Sequence, residues 1–309
     1  MKQTQAEQIA TTPEEPATPR LVLDAAPRAG GADVVLVPFA TEHLEGALQL
    51  SQEMSWPYRL EDWALALELG QGFVLRNGAG TVIATAAWWT YGEDHASCGM
   101  IIVSKAAQGR GHGARLMDAL LAAAHPRTLT LNSTAEGLAL YERRGFVRIG
   151  VIQQHQGIPD PRHQAPPASL VRAMAPSDVE AVARLDLKAS GWARRQMLDR
   201  LIQAGDGHVL VRGGEPRGYA ISRLFGRGHV IGPVVAENAA DARALIEAAL
   251  ARLGQVFVRV DTAATSQLGD WLESIGLRQV SDATTMVKGP HIPPAGPARM
   301  FALANQSFN

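Results

Sequence analysis

The sequence predicts two consecutive domains of the α/β class, and three observations carry that prediction. Strand-like and helix-like segments alternate along most of the chain. In the first half the apolar run GMIIV, Gly99 to Val103, leads through QGRGHGARLM, Gln108 to Met117, into an amphipathic helix. Segments of that half recur about 130 residues later in the same order. A length of 309 residues suits two domains of about 150 residues each, and a 46% apolar composition is enough for two cores.

Residues 1 to about 30, rich in Gln, Thr, Pro, Glu and Ala, predict a mobile tail. DVVLVPF, Asp33 to Phe39, is the first strand, and Thr41 to Glu53 a helix with Thr41 as its N-cap. Trp56 follows, then a helix over Glu61–Leu69 and strands near Gly72–Arg76 and Val82–Thr90, joined by the hairpin turn Arg76–Thr81. GMIIV is the next strand, Gly113–Ala124 a helix, Thr128–Asn132 a strand, Ala135–Arg144 a helix and Phe146–Ile152 a strand. The proline-dense segment Gly157–Ser169 reads as a linker, so the domains run over 31–156 and 169–290, with 291–309 as an extension. In the second half the strands are Ser169–Met174, His208–Arg212, Gly218–Leu224, His229–Val234 and Val256–Asp261. Its helices start at Ser177, Ala239 and Ser266.

The repeat rests on three matches. LYERRGF (Leu140–Phe146) resembles WLESIGL (Trp271–Leu277), and ARLMDALL (Ala114–Leu121) resembles ARALIEAAL (Ala242–Leu250). Trp56 and Trp192 each follow the first helix of their half. Together they read as a duplicated domain.

Composition narrows the function. A formal charge of −1 gives no field that would draw the chain to nucleic acid or to an anionic membrane. No run of 18 uncharged apolar residues predicts a membrane span. The first twenty residues carry acids and lack an apolar h-region, which predicts a cytoplasmic protein. A single cysteine and nine histidines without a ligand spacing predict no disulfide and no metal.

A glycine-rich turn between strand and helix lets backbone N–H groups approach a phosphate. Gly109, Gly111 and Ala114 satisfy the dinucleotide pattern G-x-G-x-x-A. That pattern needs its first glycine at the strand tip and an acid on the end of the next strand. Ser104–Gln108 intervene here, and TLTLN ends in Asn132. The dinucleotide reading fails on both counts.

Residues 33–152 instead resemble the GNAT N-acetyltransferase superfamily, whose loop [Q/R]-x-x-G-x-[G/A] stands as Gln108, Gly109, Arg110, Gly111, His112 and Gly113. The resemblance implies a mixed, mostly antiparallel sheet flanked by helices in each half. It also implies acetyl-CoA as acyl donor, its diphosphate on residues 108–114 and the N-terminus of the helix that follows. Arg110 adds a direct charge or simply faces solvent. The strand before the loop implies backbone contacts to the pantetheine arm and thioester from Ile101, Ile102 and Val103. The superfamily pattern around LYE-x-x-GF places Tyr141 to donate to the departing thiolate; packing on its helix is the plain alternative. Upstream the chain departs from the pattern, with Thr134 where asparagine is usual and Gly137 for alanine, so Asn132 or Thr134 is left to supply a side-chain contact to the cofactor.

No general base is legible. Glu93, Asp94 and His95 read as a solvated loop, Ser97 lies on the key strand, and Cys98 reads as a buried small hydrophobe rather than an acyl carrier. In the second half Gly109, Gly111 and Gly113 align with Glu237, Ala239 and Asp241, Gln108 with Ala236, and Tyr141 with Leu272. One charge-assisted N–H bond gains about 1.5–3 kcal/mol, whereas a carboxylate about 4 Å from a phosphate costs on the order of 4 kcal/mol at an effective dielectric of 20. This half is therefore expected not to bind the cofactor. It resembles the degenerate C-terminal domain of two-domain GNAT proteins, covering the acceptor side, with Trp192 and Asp261 (beside Trp56 and Ser97) as candidate substrate contacts; the alternative for each is structural, Asp261 as a helix or turn cap and Trp192 as core. The expected activity is acetyl transfer to a small-molecule amine by direct attack in a ternary complex, the protein a monomer or homodimer. Transfer of another acyl group, transfer to a hydroxyl, and a non-catalytic acyl-CoA sensor are the alternatives.

Overall fold

The computed structural model describes residues 34–163, 170–291 and 296–309. The expected tail and the end of the linker lie outside the described residues. Thirteen strands form one sheet. In the first half these are β1 (Val35–Pro38), β2 (Gln71–Arg76), β3 (Val82–Tyr91), β4 (His95–Val103), β5 (Thr128–Ser133) and β6 (Val147–Gly157). In the second they are β7 (Val171–Ala173), β8 (Gly205–Arg212), β9 (Glu215–Phe225), β10 (Gly228–Ala236), β11 (Val258–Ala263), β12 (Arg278–Lys288) and β13 (Arg299–Ala302). The helices are α1 (Leu44–Glu53), α2 (Leu60–Leu69), α3 (His112–Ala124), α4 (Leu138–Glu142), α5 (Val179–Ser190), α6 (Arg195–Ala204), α7 (Ala239–Leu253) and α8 (Gly269–Ser274). Mixed pairing, mostly antiparallel with helices on both faces, agrees with the expected fold class.

Spatial order is β1-β2-β3-β4-β5-β12-β6-β11-β13-β10-β9-β8-β7. The halves exchange their closing strands. β12 pairs with β5 through Thr284 opposite Ser133 and Met286 opposite Leu131. β6 pairs with β11 through Gln154 opposite Asp261. The sheet is therefore continuous across the linker, and each half is completed by a strand of the other.

Three apolar cores result. The α3 stripe Leu116, Met117, Leu120 and Ala124 packs with Leu129, Leu131 and Met286 against β2–β5. Leu245, Ile246 and Ala249 of α7 and Leu272 of α8 cover β10 and β11. Between the halves, α1 and α2 face α5 and α6 across Trp63, Trp89, Tyr219 and Phe308.

Several expectations need correction. Thr41 is not an N-cap: it lies inside a 3₁₀ turn, and the His43 Nδ1 accepts the Ala40 N–H instead, at 3.0 Å. The strand read as GMIIV begins at His95, and that read as Phe146–Ile152 runs to Gly157. Strands β12 and β13 and helix α6 were not foreseen from periodicity. The extension 291–309 is no appendage, because β13 pairs with β10 and β11 and the side chain of Phe308 is buried in the core between the halves.

Candidate active site

The site begins where β4 leaves β5. These strands pair in parallel only at His95–Ser97 against Thr128–Thr130, so beyond Ser97 the β5-facing edge of β4 is open. On its other edge β4 carries a bulge. Ala86 of β3 faces both Met100 and Ile101, between the pairs Thr85–Ile102 and Ala87–Gly99. Met100 holds φ at 52°, a strained value for a side chain of this kind, and the Thr85 hydroxyl donates to its carbonyl at 2.7 Å. A bulge leaves its extra residue out of the ladder, so β4 offers main-chain groups to a ligand in the gap. Of the expected backbone contacts, Ile101 and Val103 face α3 while Ile102 is buried in the core between the halves.

The loop after β4 has the geometry that an anion cradle needs. Gly109 and Gly111 hold φ at 75° and 80°, and a Cβ at either would meet no atom within 4 Å. Backbone conformation, not crowding, therefore requires glycine there. Gly111 is the residue from which α3 starts, and the first N–H groups of that helix have no intrahelical partner. The Gln108 amide donates to the Val103 carbonyl at 3.1 Å, which ties the loop to the strand end. Arg110 is exposed, and burial together with Arg115 and Arg110 lowers the pKa of His112. Gly113 and Ala114 lie in the first turn of α3, and a Cβ added at Gly113 would lie 3.6 Å from Leu140 and 3.7 Å from Val103, in ordinary contact.

From the gap a cavity of about 500 Å³ extends through the sheet. Cys98, Ile101, Leu131, Thr134 and Tyr141 line it on the α3–α4 side. Trp56, Tyr58, Phe225, Gln154, Gln156, Arg227 and Arg259 line the other. Tyr141 on α4 is 8% exposed and packs edge-on against Phe146. Burial, and then the neighbouring Cys98, push the Tyr141 phenol well above its usual range. The Cys98 thiol is pushed up to about 12 by burial, which agrees with an inert hydrophobe.

Four expected contacts are placed differently. The Asn132 amide is committed to the Gln306 carbonyl and the Asn309 side chain, and its oxygen accepts from Thr285, so no donor of it is left for a cofactor. Ser97 is fully buried and bonded to the Tyr91 hydroxyl. Trp192 stacks on Tyr91 at 5.6 Å and 12°, outside the cavity wall. Asp261 is fully buried and holds Arg259 and Gln306, so it touches the cavity only through them. Of the expected substrate contacts Trp56, Ser97, Trp192 and Asp261, Trp56 lines the cavity and the other three do not.

Sequence reasoning missed the Met100 bulge, the C-terminal segment and the β12 wall. Gln306 and Ser307 line the cavity, and a Cβ on Gly99 would lie 2.8 Å from the Ser307 hydroxyl. Asp282 of β12 is the single carboxylate among the lining residues. No local pattern announces any of them, because each acts through a contact between distant segments.

The second half builds the equivalent framework and closes it. β10 and β11 pair in parallel only at His229–Val230, and β13 fills the gap that follows, pairing with both. At the start of α7 the Asn238 side chain accepts the Asp241 N–H at 3.0 Å, and the Asp241 carboxylate is held by Arg212. The strand gap is filled there, and the helix start carries a carboxylate and a side-chain cap in place of glycines.

Among the described residues no helix is long and apolar enough to cross a membrane. Two segments of the chain, 75–162 and 182–302, match family models described as acetyltransferase (GNAT) domains, and together they span more than half of it. The N-acetyltransferase YitH of Bacillus subtilis, itself uncharacterized, is 27% identical over 89% of this chain and 99% of its own length. The holothin acyltransferase of a Pseudoalteromonas species is 24% identical over 81% of this chain and 93% of its own. In fold, a Pyrococcus horikoshii protein provisionally named an acetyltransferase superposes over 93% of this chain and 99% of its own, with TM-score 0.76 at 18% identity. A tandem GNAT protein from the clavulanic acid biosynthesis pathway covers 84% of this chain with all of its own, with TM-score 0.61 at 19% identity. The chain thus belongs to the GNAT acetyltransferases, as an acyltransferase that carries two GNAT domains in tandem.

Proposed function

We propose that the chain transfers the acetyl group of acetyl-CoA to the amine of a small molecule, by direct attack while both are bound. The observation that carries this reading is the through-going cavity, with Tyr141 on one side of the open β4–β5 gap and Trp56 and Tyr58 on the other. Acetyl-CoA supplies an activated thioester. The N–H groups of the Gly109–Gly113 loop and the positive end of α3 suit its diphosphate. The open edge of β4 suits its pantetheine arm, and the amides of the Met100 bulge suit the carbonyl oxygen on which charge develops.

Tyr141 faces the leaving sulfur in this reading. A thiol ionises near pKa 8.5 and a free phenol near 10, and burial raises the Tyr141 phenol further. Full transfer of its proton to a thiolate is uphill, so Tyr141 acts as a hydrogen-bond donor that stays protonated through turnover. Positioning amine and thioester together adds the larger effect of proximity. The relatives' names, an N-acetyltransferase and a holothin acyltransferase, support acyl transfer by a chain of this length.

The test is release of free thiol from acetyl-CoA across a panel of small amines, for wild type and Tyr141→Phe. A fall in kcat of about 10²-fold or more, with the affinity for acetyl-CoA retained, supports the donor role. Equal turnover by the variant removes it. Binding of acetyl-CoA without turnover of any amine returns the sensor alternative.

A further inference from the structure

Beyond the acyl end, the cavity runs over strands of the second half, and its charges there are one-sided. Across the sheet Ser281 of β12 lies opposite Gln154 of β6, and Gln154 opposite Asp261 of β11; Arg259 lies opposite Gln156, two residues along. Neighbouring strands are about 4.8 Å apart, so β11 stands roughly 15 Å from β5. Arg259 is fixed there by the buried Asp261, which it meets at 2.9 Å through Nε and Nη2. Nη1 has no acceptor among the described residues. Arg227, in the turn between β9 and β10, stacks on Phe257 at 4.3 Å and has no carboxylate in ion-pair reach among the described residues.

Behind them Arg223 is 3% exposed, hydrogen-bonds only to the carbonyls of Leu224 and Ala304, and leaves Nε without a partner. Its guanidinium lies 5.0 Å from the Phe225 ring of the cavity wall. The nearby Arg59 is neutralised by Asp62. Three guanidiniums thus face one carboxylate. Asp282 does not redress this, since strand alternation puts it on the sheet face of Thr284 and Met286, the α3 side.

None of residues 108–114 lines this cavity, so these guanidiniums are not part of the diphosphate cradle. We infer that the acceptor amine carries an anionic group, a carboxylate or a phosphate, which seats between Arg227 and Arg259. The inference rests on the acetyltransferase reading and names its substrate class. With the amine at the β4–β5 gap and the arginine side chains reaching inward, nitrogen and anion are separated by roughly 10 Å, two strand spacings.

The experiment measures acetyl-CoA-dependent thiol release with three linear amines of matched length, ending in a carboxylate, a phosphate monoester or a carboxamide. Wild type is expected to favour at least one anionic amine over the carboxamide by about tenfold or more in kcat/KM, the worth of a charge-assisted bond, expressed in KM. The carboxylate and phosphate arms identify which anion the site takes. In Arg227→Gln that preference falls toward one, and Arg227→Lys restores part of it. A carboxamide acceptor turned over as well as both anions, or a preference untouched by Arg227→Gln, overturns the inference while leaving the acetyltransferase reading intact. Turnover of no amine at all overturns both.

Discussion

Replacing Gly111 by alanine separates backbone conformation from every other property of the cradle. The residue holds φ at 80°, and a Cβ there meets nothing within 4 Å, so steric crowding contributes nothing to the cost. An alanine must hold the left-handed conformation at about 1–2 kcal/mol, or relax to negative φ and swing its neighbouring N–H groups away. If it relaxes, each lost N–H bond to a phosphate removes about 1.5–3 kcal/mol, and one such loss corresponds to roughly 10- to 100-fold in Kd. Gly80 is the control. It holds φ at 81° with equally open space around its Cβ, but sits in the hairpin between β2 and β3. Gly80→Ala should lose about the same stability without a change in acetyl-CoA affinity. Titration calorimetry with acetyl-CoA, alongside thermal melts of the free proteins, reads both quantities. Affinity within twofold of wild type for Gly111→Ala would show that the loop N–H groups do not hold the cofactor.

Three other outcomes are expected. Asp186 and Arg194 form a buried pair of two 2.8 Å bonds, Tyr219 also donating to Asp186 and Arg194 to the Asn309 carbonyl, so Asp186→Ala should cost about 3–5 kcal/mol in denaturant unfolding by removing the counter-charge of the buried guanidinium. A loss under 1 kcal/mol would refute this. The Cys98 thiol, pushed up to about 12, should stay unlabelled by an aromatic disulfide reagent at pH 8 in the folded protein and react once unfolded; rapid native labelling contradicts its burial. Burial lowers the pKa of His208, against the pull of Asp206, so below its unfolded pKa of about 6.5 the unfolded chain binds the extra proton. Its contribution to stability is present above that pH and is lost as pH falls toward the folded value. Wild type should therefore lose more stability between pH 7 and 5 than His208→Gln, and identical slopes would remove His208 as a cause.

What could be read along the chain was whatever a short segment decides for itself. The strand, glycine loop and helix over residues 95–124 are local, because positive φ at Gly109 and Gly111 and the apolar stripe of α3 are properties of neighbouring residues. Tyr141 follows from the same local order, and the duplicated segments from simple self-comparison. The loss of the glycine loop in the second half was legible in Glu237 and Asp241, but the filling of its strand gap by β13 was not. Asn132 was misjudged because its partners, Thr285, Gln306 and Asn309, lie more than 150 residues away. Packing against Tyr91 buries Ser97 and half-buries Trp192, which no local pattern shows.

The sequence by itself determined the two-domain plan, the positive-φ glycine loop that opens α3 and the helix that carries Tyr141, since these depend on backbone preference and periodicity within about thirty residues. Only the tertiary structure decided which segments form the far wall of the cavity. The exchange of β6 and β12 and the return of residues 304–309 to the open gap depend on main-chain hydrogen bonds and apolar contacts between distant segments. Strand pairing selects no side-chain type along its ladder, so the chain carries no local mark of which strand its edges will meet.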